Sequence, residues 1–357
     1  MRKAILCMVK TDIHDHVAYL VKLRELEKLL TTLGYNTIKK VVQSRLKPTV
    51  NFCVGKGKAY EIKDAVDKNK PDIVVFYNIL TSKQRYNLEK LFRVPVYDRY
   101  DVVLEIFKEA ATDKLSKLQI ELASIEKEFP YVKLRASMKY LRHKAGFRGP
   151  GEYAYHKTIS ALHKRIKRIR GEIEKIKKRK KMQIDRIKEM GAPIVCISGY
   201  YNAGKTSLFN ELTGCRKPVS DMPFTTLSSK YSSIFNGNLY LVDTIGFVLD
   251  QDPRLIQSFE LNLMDIRSSN RLLVMFDASD RREVLKLKVD MLLRMYREIG
   301  VDDKITFVFN KIDKIKERRI EELKKIESFV GDKPVFYISV RQDMNVEELV
   351  KHLKDLS

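Results

Sequence analysis

The stretch Gly199-Tyr200-Tyr201-Asn202-Ala203-Gly204-Lys205-Thr206 fits the pattern G-x-x-x-x-G-K-[ST]. An apolar run at 194–198 precedes it and a helical pattern at 205–212 follows, the context a phosphate loop requires. Glycines let such a loop curl until successive N–H groups point at phosphate oxygens, and the helix start adds partial positive charge. The spacing predicts that Asn202, Ala203, Gly204, Lys205, Thr206 and Ser207 line a phosphate site. Lys205 would reach the β- and γ-phosphates, and the Thr206 hydroxyl would ligate Mg²⁺.

Two further segments close apolar runs. Asp243-Thr244-Ile245-Gly246 follows 239–242; Asp243 is placed to hold Mg²⁺ through water, and the Gly246 N–H to sense the terminal phosphate. Asn310-Lys311-Ile312-Asp313 follows 305–309. A carboxylate at Asp313 can accept from two donors on the guanine edge, where adenine offers one donor and a repelling lone pair. Asn310 would tie this loop to the phosphate loop, and Ser339-Val340 would touch the base from below. Ligands at the carboxyl ends of parallel strands, in this order, predict binding of GTP and GDP with Mg²⁺, and hydrolysis of GTP. Within 221–227, Thr225 or Thr226 is expected to close over Mg²⁺ and the γ-phosphate; only register separates them. The position after D-x-x-G, a Gln in small GTPases, is Phe247, which cannot orient water. Slow unaided hydrolysis is therefore expected, with a partner reordering 220–230 and 244–260.

These residues need a scaffold. From 191 to 357 the chain alternates strand and helix patterns, a doubly wound, mostly parallel sheet. Residues 1–100 predict a smaller α/β layer. Between them, Leu104, Ala111, Leu115, Leu118, Leu122, Ile125 and Phe129 form one apolar seam, and Ile159, Leu162, Ile166, Ile169, Ile173 and Ile176 another. The seams predict an antiparallel helical hairpin over 101–190. A non-helical tip is expected to hold Pro130, Gly146, Gly149, Pro150 and Gly151.

The 357 residues carry a net charge of +23, unevenly placed. Residues 191–357 hold 25 Lys+Arg and 24 Asp+Glu, which leaves 44 and 22 for residues 1–190. That asymmetry points to a polyanion, either nucleic acid or an anionic membrane surface. No apolar run is long enough to span a bilayer, and the start lacks a secretory pattern. Four scattered cysteines read as reduced thiols of a cytoplasmic protein. Lys133, Arg135, Lys139, Arg142, His143, Lys144 and Arg148 interleave with Tyr131, Tyr140 and Phe147, a mixture that suits RNA. Lys56 and Lys58 suit either a solvated tight turn or a second phosphate site.

The motifs resemble those of the HflX family of ribosome-binding GTPases. Gly199 to Lys205 is similar to its GY-x-NAGK, Phe224-Thr225-Thr226-Leu227 to its F-A-T-L, and Asp243 to Phe247 to its DT-x-GF. Val54-Gly55-Lys56-Gly57-Lys58, Leu118-Gln119-Ile120-Glu121-Leu122-Ala123 and Arg148-Gly149-Pro150-Gly151-Glu152 resemble its GKGK, LQ-x-ELA and RGPGE segments. The resemblance implies that Thr226 rather than Thr225 joins Asp243 and Thr206 at Mg²⁺, with Lys205, Thr226 and Gly246 carrying catalysis. It also implies a monomer bound to the large ribosomal subunit and its rRNA, not to DNA, with a possible role in ribosome rescue or splitting. The alternatives are a stress or assembly GTPase acting on RNA without splitting ribosomes, and a membrane-surface GTPase anchored by the basic helix. The chain departs from the family at Gly146-Phe147, at Tyr153-Ala154-Tyr155-His156 and in the order Thr206-Ser207.

Overall fold

The computed structural model describes residues 2–12, 14–142, 150–215, 229–250, 252, 254–255 and 260–356, with backbone alone at 139–142, 150–156, 262, 318 and 325–329. The chain divides into two compact units, Met1–Glu109 with Lys117–Lys175, and Ala110–Ser116 with Ile176–Ser357.

In the first unit, β1 (Arg2–Lys10), β2 (Tyr35–Ser44), β3 (Ile73–Phe76) and β4 (Val96–Asp98) form a parallel sheet in the order β2-β1-β3-β4. Ala4–Val9 of β1 and all of β3 are continuous apolar runs because both faces of a parallel sheet are covered. Helices α1 (Ala18–Thr32), α2 (Lys56–Asn69), α3 (Ser82–Phe92) and α4 (Arg99–Ala110) supply the cover. Thr81 and Gln84 make a reciprocal capping box that starts α3. Lys56 opens α2 and Lys58 pairs with Glu61, so the lysines expected in a turn belong to a helix.

Two long helices follow, α5 (Lys114–Arg142) and α6 (Pro150–Glu189). Seven residues separate them, too few to run back along a helix of α5's length, so the pair is antiparallel. The Phe129 ring meets His163 edge-on at 4.9 Å, Arg170 pairs with Glu126 at 2.7 Å, and Arg165 pairs with Glu121. Two sequence readings need correction. The apolar seam from Leu104 to Phe129 is not one helix, because it breaks between α4 and α5. Pro130 lies inside α5, and Pro150 and Gly151 open α6, rather than lying in a non-helical tip. A proline inside a helix forfeits a backbone bond and costs about 3 kcal/mol. Neighbouring contacts hold the helix through it: Tyr131 is buried, its hydroxyl bound to Glu89 and its ring under the Arg85 guanidinium at 4.7 Å.

The second unit contains β5 (Ile194–Gly199), α7 (Lys205–Thr213), β6 (Lys230–Ile234), β7 (Leu239–Asp243), α8 (Glu260–Ser268), β8 (Arg271–Asp277), α9 (Arg282–Glu298), β9 (Ile305–Asn310), α10 (Glu317–Val330), β10 (Val335–Tyr337) and α11 (Val346–Lys354). Its sheet order is β10-β9-β8-β5-β7-β6, with every pair parallel except β6 with β7. This is the doubly wound, mostly parallel sheet expected. Leu208, Phe209, Leu349 and Leu353 close one face of the sheet. Among the described residues, no helix is long and apolar enough to cross a membrane.

Candidate functional site

The loops that follow β5, β7 and β9 meet at the carboxyl end of the second sheet, where parallel α/β folds place ligands. The loop after β5 can turn only because of its glycines. Gly199 has φ +129° and Gly204 φ +96°, and a Cβ on Gly199 would strike the Met275 carbonyl. Asn202 takes the left-handed conformation at φ +58°, which asparagine tolerates.

Lys205 opens α7 and is buried. Its ammonium donates to the Tyr200 carbonyl at 2.7 Å. Burial pulls its pKa down to about 8; Asp243 opposes the fall, and Lys288 and Lys311 add to it. The next residue, Thr206, donates its hydroxyl to Asp243 Oδ2 at 3.1 Å. Asp243 ends β7 fully buried. A hydroxyl and a carboxylate converging at the phosphate loop are the hard oxygen donors that suit Mg²⁺.

Asn310 joins three loops. Its amide donates to the Ala203 carbonyl at 2.9 Å and accepts from the Val340 N–H at 3.1 Å. Lys311, at φ +70°, donates to the Asn202 carbonyl at 2.6 Å and to Asp277 at 2.7 Å. Asp313 accepts from the Ser339 hydroxyl at 2.6 Å, which orients its carboxylate. The structure thus brings together Asn202, Ala203, Gly204, Lys205, Thr206, Asp243, Asn310, Lys311, Asp313, Ser339 and Val340. Ser207 lies in the first turn of α7. Thr225 and Thr226 fall outside the described residues, as does Phe224. So do Arg148 and Gly149 of the hairpin tip.

Gly246 and Phe247 pack under the phosphate loop. A Cβ on Gly246 would come within 2.8 Å of Tyr201 Cα. The Phe247 N–H donates to the Gly199 carbonyl at 3.1 Å, and its own carbonyl accepts from the Tyr201 N–H at 3.0 Å. The Phe247 ring is 3% exposed and meets Tyr296 edge-on at 6.4 Å.

Sequence reasoning missed two residues here. Asp277 ends β8 and anchors Lys311. Burial pushes its carboxyl up, but bonds from Lys311 and Ser279 outweigh that and hold it below the usual carboxylate range. Tyr200 is a wildcard in G-x-x-x-x-G-K-[ST] and matches the tyrosine of GY-x-NAGK, but neither pattern says what its side chain does. Its hydroxyl donates to the Lys288 carbonyl at 3.2 Å, and the Lys288 ammonium sits over its ring. A strand ending on an acid, as at Asp243, was the signal available for Asp277.

Comparison with known proteins finds matches over most of the chain. Residues 21–108, 110–186 and 194–311 fit family models described as GTP-binding GTPase N-terminal, GTP-binding GTPase middle region and 50S ribosome-binding GTPase. The GTPase HflX of Thermofilum pendens is 34% identical over 94% of this chain and 80% of its own length. That of Methanocaldococcus jannaschii is 32% identical over 93% and 83%, and that of Escherichia coli 32% over 83% and 70%. Among solved structures, a complex of SsGBP with GDP superposes with TM-score 0.51 at 26% identity, covering 100% of this chain and 98% of the other.

Proposed function

The chain belongs to the HflX family and is a GTP-hydrolysing enzyme, and on that premise we propose that it is a factor of the large ribosomal subunit whose slow intrinsic turnover is accelerated by the ribosome. The observation that carries this reading is Phe247. Its ring is buried against Tyr296, and its backbone is bonded to the phosphate loop on both sides. No polar side chain at that position can hold the attacking water, so the orienting group has to come from elsewhere. The description of the 194–311 family model names the 50S subunit. The excess of Lys and Arg in residues 1–190 supplies the affinity for rRNA phosphates.

In this reading the loop N–H groups of 202–207 hold the phosphates, and Lys205 reaches between β and γ. Its depressed pKa marks a cation short of compensating charge, which an anion restores. Thr206, Asp243 and Thr226 would hold Mg²⁺, which when bound would neutralise charge developing on the β–γ bridge. The Gly246 N–H follows the γ-phosphate. Asp313 reads the two guanine donors, with Asn310, Lys311, Ser339 and Val340 fixing its loop.

The test is GTP turnover with and without purified large subunits. Stimulation on the order of 10³–10⁵ is expected, the range an activating partner supplies. Free rRNA should not reproduce it. Brisk turnover by the isolated protein would overturn the reading, and equal stimulation by free RNA would replace it with an RNA-acting assembly or stress GTPase.

A further inference from the structure

Asp265 lies in the middle of α8 with its side chain wholly buried. A buried carboxylate is costly unless both oxygens find donors. Here Oδ1 accepts from the Tyr231 hydroxyl and Oδ2 from the Lys180 ammonium, each at 2.5 Å. The three residues come from three different elements. Tyr231 is the second residue of β6, the strand entered directly from the segment 221–227. α8 is the helix entered directly from the segment 244–259. Lys180 stands in the lysine-rich turns of α6.

The grip of α6 on α8 extends beyond this pair. Lys180 also donates to the Leu261 carbonyl at 3.0 Å, and Lys177, three residues earlier, pairs with Glu260 at 2.8 Å. Ile184 and Ile187 continue the same helix face and are buried. Lys178, Arg179 and Lys181, on the same two turns, point outward and are exposed. One face of these turns is therefore fastened to α8, and the other is free to meet phosphates.

We propose that Asp265 is the joint through which contact of an RNA phosphate surface with the base of α6 reaches both nucleotide-sensing segments, with Lys180 and Tyr231 as positioning residues for the stimulated reaction. This rests on the ribosomal reading above. Sliding α6 past α8 would strip Asp265 of its cation in a dry site, a cost that apolar packing alone does not carry. Displacement of α6 therefore moves α8, and the Tyr231 bond carries it into β6.

The experiment compares wild type with the double variant Lys180→Met/Asp265→Leu, which removes both charges at similar volume so that neither is left buried alone. The expected result is unchanged basal turnover, GDP affinity and co-sedimentation with large subunits, together with at least a tenfold loss of subunit stimulation. Tyr231→Phe, which removes one hydroxyl, should show a smaller loss in the same direction. Full stimulation of the double variant would overturn the proposal. Linkage is reciprocal, so the joint also has a readout without ribosomes. Replacing GDP by a non-hydrolysable GTP analogue should change hydrogen exchange at α6 amides 176–188 in wild type and not in the double variant. Identical exchange in both nucleotide states of wild type would overturn the joint. Failure of subunits to stimulate wild type would overturn the ribosomal reading alone, and the exchange comparison would still decide the joint.

Discussion

β4 ends on Asp98 and β7 ends on Asp243, and each acid feels a buried lysine. At the first tip, Lys127 from α5 pairs with Asp98 and lies 3.7 Å from Asp101 and 4.8 Å from the centre of the Tyr100 ring. Asp98 also accepts from the Leu80 and Asp101 N–H groups at 3.0 and 3.1 Å. Burial and then Asp98 push the Asp101 carboxyl up, to about 7; Lys127 works against them. Here the buried lysine has its anion in Asp98. At the second tip, the Lys205 ammonium donates to the Tyr200 carbonyl, with no carboxylate bonded to it among the described residues, and burial lowers its pKa. The same layer architecture thus makes a clamp in one unit and a receptor in the other. What separates them is whether a buried cation already has its anion.

Exchanging alanine for each lysine should break the comparison open. Lys127→Ala leaves Asp98 buried and uncompensated, and should cost about 3–5 kcal/mol of stability by chemical denaturation, with GDP affinity unchanged. Lys205→Ala should do the reverse. It should weaken GTP and GDP together by about 2–5 kcal/mol in calorimetry, with no loss of thermal stability, because an under-compensated buried charge is removed.

A pH series sharpens the same contrast. Below about 8 the Lys205 ammonium is charged in the free protein; above it, binding of a polyphosphate must first restore the proton. GDP affinity should therefore fall as pH rises through 8, by up to about tenfold per unit, with proton uptake visible in buffers of different ionisation enthalpy. Lys205→Ala should flatten that slope.

The smallest effect belongs to the hairpin surface. Arg170 and Glu126 pair in the open, at 64% and 39% exposure. Arg170→Ala should change stability by about 0–1 kcal/mol in an unfolding titration, and less at high salt.

The receptor was far more legible in the sequence than the clamp. Phosphate, metal and base chemistry each demand particular residue types within a few positions of a strand end, so the segments at 199, 243 and 310 could be read directly. The clamp joins Asp98 to a lysine 29 residues away, on a helix whose pattern gives no hint of which face meets the sheet. Pro130 misled for a related reason. Local rules end a helix there, and the contacts that overrule them, Tyr131 with Arg85 and Glu89, come from a helix some forty residues earlier. The break between α4 and α5 was hidden because the apolar spacing carries on across it. Phe247 could be read as a missing glutamine, but nothing in its type showed that the whole peptide segment is stitched beneath the phosphate loop.

The Asn310 amide has a consequence for anyone who would transplant or redesign this site. A methyl group on Gly204 would collide with its nitrogen, and that nitrogen is bonded to Ala203, 107 positions upstream. The phosphate loop and the base-reading loop are thus a single interlocking part. Neither can be grafted into another scaffold, or varied in a library, without carrying the other along.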